Sequence, residues 1–159
     1  MPNFYTIGPG AIQTSNATPL TANDCFFVKP GTRTCWVKSI YPTGRGALLT
    51  SISGLTFRLE KWFTTASSGG TGVTPSPNDI GYQAAKESAG WATGAVTSGT
   101  GGPTLMLSIG SGTTSPGNWI APTLDDAYAL EGSATQSLDI FNASGAASLN
   151  FELSVGTVE

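Results

Sequence analysis

The most constraining feature of this sequence is the strict two-residue alternation of its C-terminal stretch, ASLNFELSV (147–155). The apolar positions are Ala147, Leu149, Phe151, Leu153 and Val155, and the positions between them are Ser148, Asn150, Glu152 and Ser154. Successive side chains of a β-strand point to opposite faces of its sheet, so the pattern predicts a strand with one buried and one solvated face. A helix does not sort residues this way, because its side chains repeat about every 3.6 residues.

Two other stretches alternate with the same period. In RTCWVKSIY (33–41), one face would carry Cys35, Val37, Ser39 and Tyr41, and the other Thr34, Trp36, Lys38 and Ile40. In GLTFRLEKWF (54–63), one face would carry Leu55, Phe57, Leu59 and Phe63, and the other Thr56, Arg58, Glu60 and Trp62. We expect the second face to be the outer one in each strand, which places Trp36, Glu60 and Trp62 on the outside.

Shorter apolar runs extend this pattern along the chain. Further strand candidates are CFFV (25–28), ALLTSI (47–52), GYQAAKE (81–87), TLMLSIG (104–110), NWIAP (118–122) and QSLDIF (136–141). Turn residues separate these runs, as in KPGT (29–32) and GSGTTSPG (110–117). Many short strands predict an all-β fold, a single β-sandwich or jelly-roll domain with long Gly/Pro-rich loops. The one helical candidate is LDDAYALE (124–131).

The N-terminal segment differs from the rest of the chain. GPGAIQTSNATPLTAND (8–24) is polar and rich in turn residues, and it has no sustained period. We therefore expect residues 1–24 to form an N-terminal arm or edge segment, ordered by what it lies against. Residues 25–159 would form the sandwich, since a chain of 159 residues fits one domain.

The charge content limits the classes of partner. Charged residues make up 11% of the chain, against about 25% in soluble domains. A surface this poor in charge suits a chain that partners cover in an assembly. A net charge of −3, with seven scattered basic residues, argues against nucleic acid as a partner. We also expect no membrane span and no secretion signal, since MPNFYTIGPG opens the chain and no apolar run approaches roughly 18 residues.

Residue types that carry most enzyme chemistry are scarce. The chain has no histidine, which removes Ser-His-Asp and Cys-His nucleophiles and imidazole metal ligands. Glu60 and Glu152 are conceivable as a glycosidase pair across neighbouring strands, but both lie on expected solvent faces. Asp125, Asp126 and Glu131 lack the spaced acidic pattern of a calcium loop. We therefore expect a protein that is not an enzyme and binds no cofactor or metal.

The two cysteines, Cys25 and Cys35, flank the turn KPGT. A hairpin around Pro30 and Gly31 would place them nearly opposite each other, where a cross-strand disulfide is conceivable. The alternative is a pair of half-buried thiols that act as small apolar residues. The expected lack of a secretion signal favours free thiols.

The four tryptophans, Trp36, Trp62, Trp91 and Trp119, admit two interpretations. Indoles on one outer face could stack against sugar rings, as in carbohydrate-binding modules. They are equally expected in the core, or where an outer sheet face packs against a neighbouring subunit. We favour the core or subunit contact.

The stretch KWFTTASSGGTGVTPSPND (61–79) starts as a strand and continues as a long loop of the form GGT-x-x-T-P-x-P-x-D. The strand PTLMLSIG (103–110) follows, and then the step NWIAP (118–122), a short acidic turn and two closing strands. In this order the elements resemble a loosely defined group of tailed-phage structural proteins, over roughly residues 54–159. The first third of the chain has no such match.

The resemblance implies a β-sandwich component of the virion, assembled in the host cytoplasm. The expected role is a head decoration or cement protein, a homotrimer that binds the major capsid protein at capsomer junctions. The alternatives are a tail, collar or fibre component, and a carbohydrate-binding receptor module. The loop would be a contact arm over a neighbour, with prolines limiting the entropy lost on docking, or else a plain crossover between strands. The expected contact residues are Phe4, Tyr5, Ile7, Trp36, Trp62, Gly69, Gly70, Thr71, Thr74, Pro75 and Pro77.

Overall fold

The strands of the chain form two antiparallel sheets. A computed structural model describes residues 2–8, 13–14, 25–45, 55–97, 108–111, 118–133, 135–142 and 150–159. The strands are β1 (Phe4–Ile7), β2 (Gln13–Thr14), β3 (Cys25–Lys29), β4 (Cys35–Arg45), β5 (Leu55–Trp62), β6 (Ser68–Val73), β7 (Ser76–Pro77), β8 (Ser88–Thr97), β9 (Ser108–Ser111), β10 (Trp119–Ile120), β11 (Tyr128–Leu130), β12 (Ser137–Asn142) and β13 (Asn150–Val158).

The first sheet has the order β10-β4-β13-β1-β7, with β11 also paired to β4 and β2 to β13. The second sheet has the order β6-β8-β3-β12-β5-β9. Their facing sides share one apolar core, whose members include Ile7, Val37, Ile40 and Val155 from the first sheet and Phe26, Leu59, Trp91, Leu138 and Ile140 from the second. The all-β prediction is confirmed, and two antiparallel sheets around one core are consistent with a β-sandwich.

The predicted alternation holds where a strand runs without interruption. In β13, Leu153 and Val155 are buried, as predicted. In β4, the register against β13 skips Lys38, which marks a β-bulge. The bulge reverses the faces beyond it, so Ile40 is buried and Tyr41 is exposed. The prediction for these last two residues was wrong.

Three further sequence predictions were wrong. Residues 124–131 form bends, a turn and strand β11 instead of a helix, and the part of the chain that the structure describes contains no helix. Residues 81–87 are irregular, and the strand begins only at Ser88. Glu60 is buried, although the alternation placed it on a solvent face.

The long loop of the sequence is a crossover that contains two strands. After β5, the chain passes over the outer face of the second sheet and becomes its opposite edge strand, β6. Gly69 and Gly70 adopt positive φ angles of 86° and 69° there, which glycine tolerates at little cost. The chain then joins the edge of the first sheet as β7. This path agrees with the crossover interpretation, while any contact with a neighbour stays a prediction.

Strands β3 and β4 lie in different sheets, so the expected hairpin between Cys25 and Cys35 does not form. Cys35 is a free, buried thiol. The described part of the N-terminal segment also belongs to the sheets, because β1 lies between β13 and β7.

Several predictions fall outside the described residues. These are the strand at 47–52, the start of the strand at 104–110, the apolar positions 147 and 149, and most of the N-terminal segment, residues 9–12 and 15–24.

Candidate binding groove on the first sheet

A half-open groove of about 220 Å³ lies on the outer face of the first sheet. It is lined by Phe4, Tyr5, Thr6, Lys38, Ser39, Tyr41, Asn78, Ser154, Gly156 and Thr157. The two aromatic walls, Phe4 and Tyr41, are each 36% exposed. Phe4 lies outside because its neighbours in β1, Tyr5 and Ile7, point into the core.

The floor of the groove is open because Gly156 has no side chain. A Cβ atom at this position would lie 2.3 Å from the Oγ atom of Ser39, its partner in β4. The β-bulge next to this pair adds Lys38 to the wall, with its Nζ atom 5.8 Å from the centre of the Phe4 ring. An ammonium group at this distance from a ring is attracted to the ring face.

The rim of the groove continues into a tightly bonded turn, which we call the Ile80 turn (78–83). The Asn78 amide donates to the carbonyl oxygen of Phe4 (2.9 Å), and the Thr6 hydroxyl donates to Oδ1 of Asn78 (2.8 Å). Asp79 accepts from the amide of Gly81 through Oδ1 (2.8 Å) and from the amide of Tyr82 through its carbonyl oxygen (3.1 Å).

The far end of the Ile80 turn is fixed to the core by Tyr5. The Tyr5 hydroxyl donates to the carbonyl oxygen of Gln83 (2.9 Å), and the rings of Tyr5 and Tyr82 lie 6.5 Å apart between centres. The turn holds Ile80 fully in solvent, with a relative exposure of 105%.

The structure divides the predicted contact residues between core and surface. Phe4 lies on the groove, whereas Tyr5 and Ile7 are buried within the chain itself. Gly69, Gly70 and Thr71 are exposed on the edge strand β6. Thr74 and Pro77 are exposed and Pro75 is half-buried, all on the path from β6 to β7.

The four tryptophans do not share a face. Trp91 is buried against Phe26, with ring centres 5.6 Å apart, and Trp119 packs against the core. Trp36 is half-buried on the outer face of the first sheet, and Trp62 is half-buried on that of the second. A sugar-stacking platform made from these indoles is therefore excluded by their positions, which corrects that hypothesis.

The Trp62 indole belongs to a buried polar cluster under the crossover. Its Nε1 donates to Oδ2 of Asp139 (3.0 Å), and the Ser67 hydroxyl donates to the same oxygen. The Ser137 hydroxyl donates to Oδ1 (2.9 Å) and accepts from the Ser67 amide (3.1 Å). Asp139 is fully buried, so this cluster fastens the crossover to the sheet.

A second buried cluster joins Cys35, Glu87 and Thr157. The Cys35 thiol donates to Oε2 of Glu87 (2.7 Å), and the Thr157 hydroxyl donates to Oε1. Burial raises the pKa of Cys35 well above its usual value, and the neighbouring Glu87 raises it further. A thiol that stays protonated is a poor nucleophile, so this cluster is structural.

The predicted acidic sites are dispersed. Glu60 lies in β5 of the second sheet, paired with Arg58, while Glu152 lies in β13 of the first sheet. Asp126 caps its own turn by accepting from the Thr123 amide (3.3 Å) and hydroxyl (2.8 Å). No group of three His, Cys, Asp or Glu side chains that could hold a metal occurs among the residues that the structure describes. Within the same residues, no helix has the length and hydropathy to cross a membrane.

Sequence reasoning missed most of the groove and the Ile80 turn. The groove needs Thr6, Lys38, Asn78 and Gly156 from four separate strands or turns, and nothing in the local pattern joins them. The sequence does indicate the Ile80 turn, because NDIG (78–81) places Ile80 between residues that favour turns.

Comparisons with protein-family models, curated proteins and solved structures found no match for this chain.

The pKa of Glu87 predicts how the stability of the folded chain depends on pH. Burial raises its pKa above the usual 4.5, and Glu159 adds to this, while the bonds from Cys35 and Thr157 oppose it. The folded state therefore binds this proton more tightly than the unfolded state, and stability falls as pH rises from the unfolded pKa through the folded one. We expect Glu87→Gln to remove this fall, in urea titrations from pH 4 to pH 8.

The matched control is Glu131→Gln, which removes an exposed carboxyl group instead of the buried one, and the fall in stability should persist in this variant. If Glu87→Gln kept the wild-type profile, the buried carboxyl would not be the group that titrates.

Proposed function

We propose that this chain is a non-enzymatic structural component of a tailed-phage particle, which acts by packing against protein neighbours. The observation that carries the proposal is the distribution of exposed large apolar side chains. Five are found in the described part of the chain: Phe4, Tyr41, Phe63, Ile80 and Ile120. All but Phe63 lie on or beside the outer face of the first sheet.

Ile120 belongs to this surface through its strand register. It is 52% exposed and pairs with Ser39, which lines the groove, so the two side chains share a face. Apolar groups gathered on one face, with few charges, are typical of surfaces that proteins bury in assemblies. The low charge content of the whole chain supports the same proposal.

The specific role that we propose is head decoration. A homotrimer of rigid sandwiches would bind the major capsid protein at capsomer junctions and stabilise the shell. Each 100 Å² of apolar contact contributes about 2.5 kcal/mol before association costs. The tailed-phage resemblance of residues 54–159 supports this role, and a tail, collar or fibre component is the variant with the same chemistry.

Counting the copies of this chain in purified particles tests the role. We expect a fixed multiple of the copy number of the major capsid protein, measured by quantitative mass spectrometry. A small copy number would favour the tail, collar or fibre. Absence of the chain from the particles would contradict the proposal as a whole.

Carbohydrate binding is the second candidate, and one observation favours it. The groove combines two half-exposed rings, Phe4 and Tyr41, with the hydroxyls of Thr6, Ser39 and Ser154. Aromatic faces beside hydrogen-bonding groups suit a sugar ring. Under this candidate, Tyr41→Ala would abolish binding on a glycan array, while Trp62→Ala, on the other sheet, would not.

A further inference from the structure

The Ile80 turn begins at the rim of the groove. Asn78 belongs to both, since it lines the groove and begins the turn. Ile80, two residues further along, stays outside the groove of its own chain, because its side chain is fully exposed. Hydrogen bonds from Asn78, Gly81 and Tyr82 fix the turn in this geometry. An apolar side chain presented on a turn so fixed is already arranged for binding, since little entropy remains to be lost.

The groove has the size and polarity to accept such a side chain. Its volume of about 220 Å³ corresponds to roughly seven water molecules at about 30 Å³ each. A branched side chain of four carbon atoms is smaller than this volume, and the rings of Phe4 and Tyr41 both line the groove. The glycine floor at Gly156 leaves the necessary depth.

The charges of the two features are complementary. Lys38 places an ammonium group in the groove wall. Asp79 places a carboxylate on the turn, one residue before Ile80. An Ile80 side chain seated in a groove of another copy would therefore bring Asp79 towards Lys38.

We propose that this chain self-associates by inserting Ile80 of one copy into the Phe4–Tyr41 groove of a second copy, with Asp79 of the first facing Lys38 of the second. Because turn and groove are adjacent, two copies related by a two-fold axis can exchange both contacts, and a closed ring can form through the same contact. This inference rests on the proposed function only in that the chain works through contacts between copies.

The first test is the oligomeric mass of the purified chain across a concentration series, measured by light scattering and sedimentation. We expect a concentration-dependent oligomer whose dissociation constant rises at least about tenfold in Ile80→Ser, because serine would lose the apolar contact that buries this side chain. The matched control is Phe63→Ser, an exposed apolar residue that follows β5 of the second sheet and does not line the groove, which should leave association unchanged.

The second test exchanges the two charges. Lys38→Glu and Asp79→Lys should each weaken association, and an equimolar mixture of the two single variants should form mixed pairs in which both contacts are restored. The double variant should recover part of the association lost in each single variant, because it restores the charge pair but still lacks the Asp79 acceptor of the turn. Damage to the turn by Asp79→Lys would not be repaired by Lys38→Glu, so recovery reports the contact itself.

Two results would overturn the contact: a chain that stays monomeric at high concentration, or an oligomer indifferent to Ile80 and to both charges. A chain that associates through Ile80 but is absent from particles would leave the contact standing and contradict the virion role. A chain that is present in particles but never associates in isolation would contradict the contact and leave the virion role standing.

Discussion

Replacement of Asp139 by alanine should lower the free energy of unfolding by about 3 to 5 kcal/mol. Asp139 is fully buried, and its two carboxyl oxygens accept hydrogen bonds from Trp62, Ser67 and Ser137. Without these oxygens, three donors lose a partner, and two of them, Ser67 and Ser137, are fully buried. Each loss of a hydrogen bond by a buried donor costs about 1 to 3 kcal/mol. The two hydroxyls can rotate to find other acceptors, but the indole N–H cannot.

The same change should loosen the crossover over the second sheet. Ser67 sits in the crossover and bonds to both Ser137 and Asp139, so the cluster is its anchor on the sheet face. We expect limited proteolysis to cut between Trp62 and Ser68 faster in Asp139→Ala than in the wild type. Urea denaturation followed by circular dichroism measures the loss of stability.

Asp126→Ala is the matched control, since it removes an exposed aspartate that caps its own turn. This variant should lose about 1 kcal/mol or less. Equal losses in Asp126→Ala and Asp139→Ala would mean that the buried carboxyl does not hold the crossover.

Replacement of Gly31 by alanine should cost about 3 kcal/mol, the second largest effect that we expect. A Cβ atom at Gly31 would lie 1.9 Å from the carbonyl oxygen of Lys86 and 2.4 Å from its carbon. Backbone atoms at this distance must move. The Lys86 backbone cannot move freely, because the amides of Lys86 and Glu87 both donate to Oε1 of Glu159 at 2.7 Å.

Gly72→Ala is the control for this second prediction. Apart from its two chain neighbours, no atom of the described residues lies within 4 Å of a Cβ at Gly72, so the alanine should change stability little or raise it slightly by reducing the freedom of the unfolded chain. Thermal unfolding of the two variants under the same conditions makes the comparison. A Gly31→Ala protein as stable as Gly72→Ala would show that the β3–β4 turn can shift away from Lys86.

The strands that were predicted well are those in which local pattern and tertiary environment agree. Strands β3, β12 and β13 carry apolar side chains at positions that the core buries, so their composition and alternation were enough. β6 and the start of β8 are rich in glycine and lack such a pattern. In β8, a glycine is required by a contact with a residue that is distant in sequence. A Cβ at Gly90 would lie 2.4 Å from the Phe27 ring.

The sequence pattern also did not predict which polar side chains are buried. Alternation separates the two faces of a strand, but it does not show whether the second face is exposed to solvent or covered by another segment of the chain. Glu60 and Asp139 lie opposite each other in β5 and β12 on the outer face of the second sheet. Both are buried. A carboxyl group can be buried where donors reach it, and for Asp139 one of these comes from Ser67, 72 residues away in sequence.

By itself, the amino-acid sequence determined the all-β class, the main apolar strands and the scarcity of groups that could catalyse a reaction. These properties are local, because a two-residue period or a missing histidine can be read without knowing which strands meet. The tertiary structure alone decided the bulge that turns Tyr41 outward, the groove over Gly156 and the placing of Ile80 beside it. Such features depend on which distant segments pair, and sheet pairing is set by the packing of the whole chain.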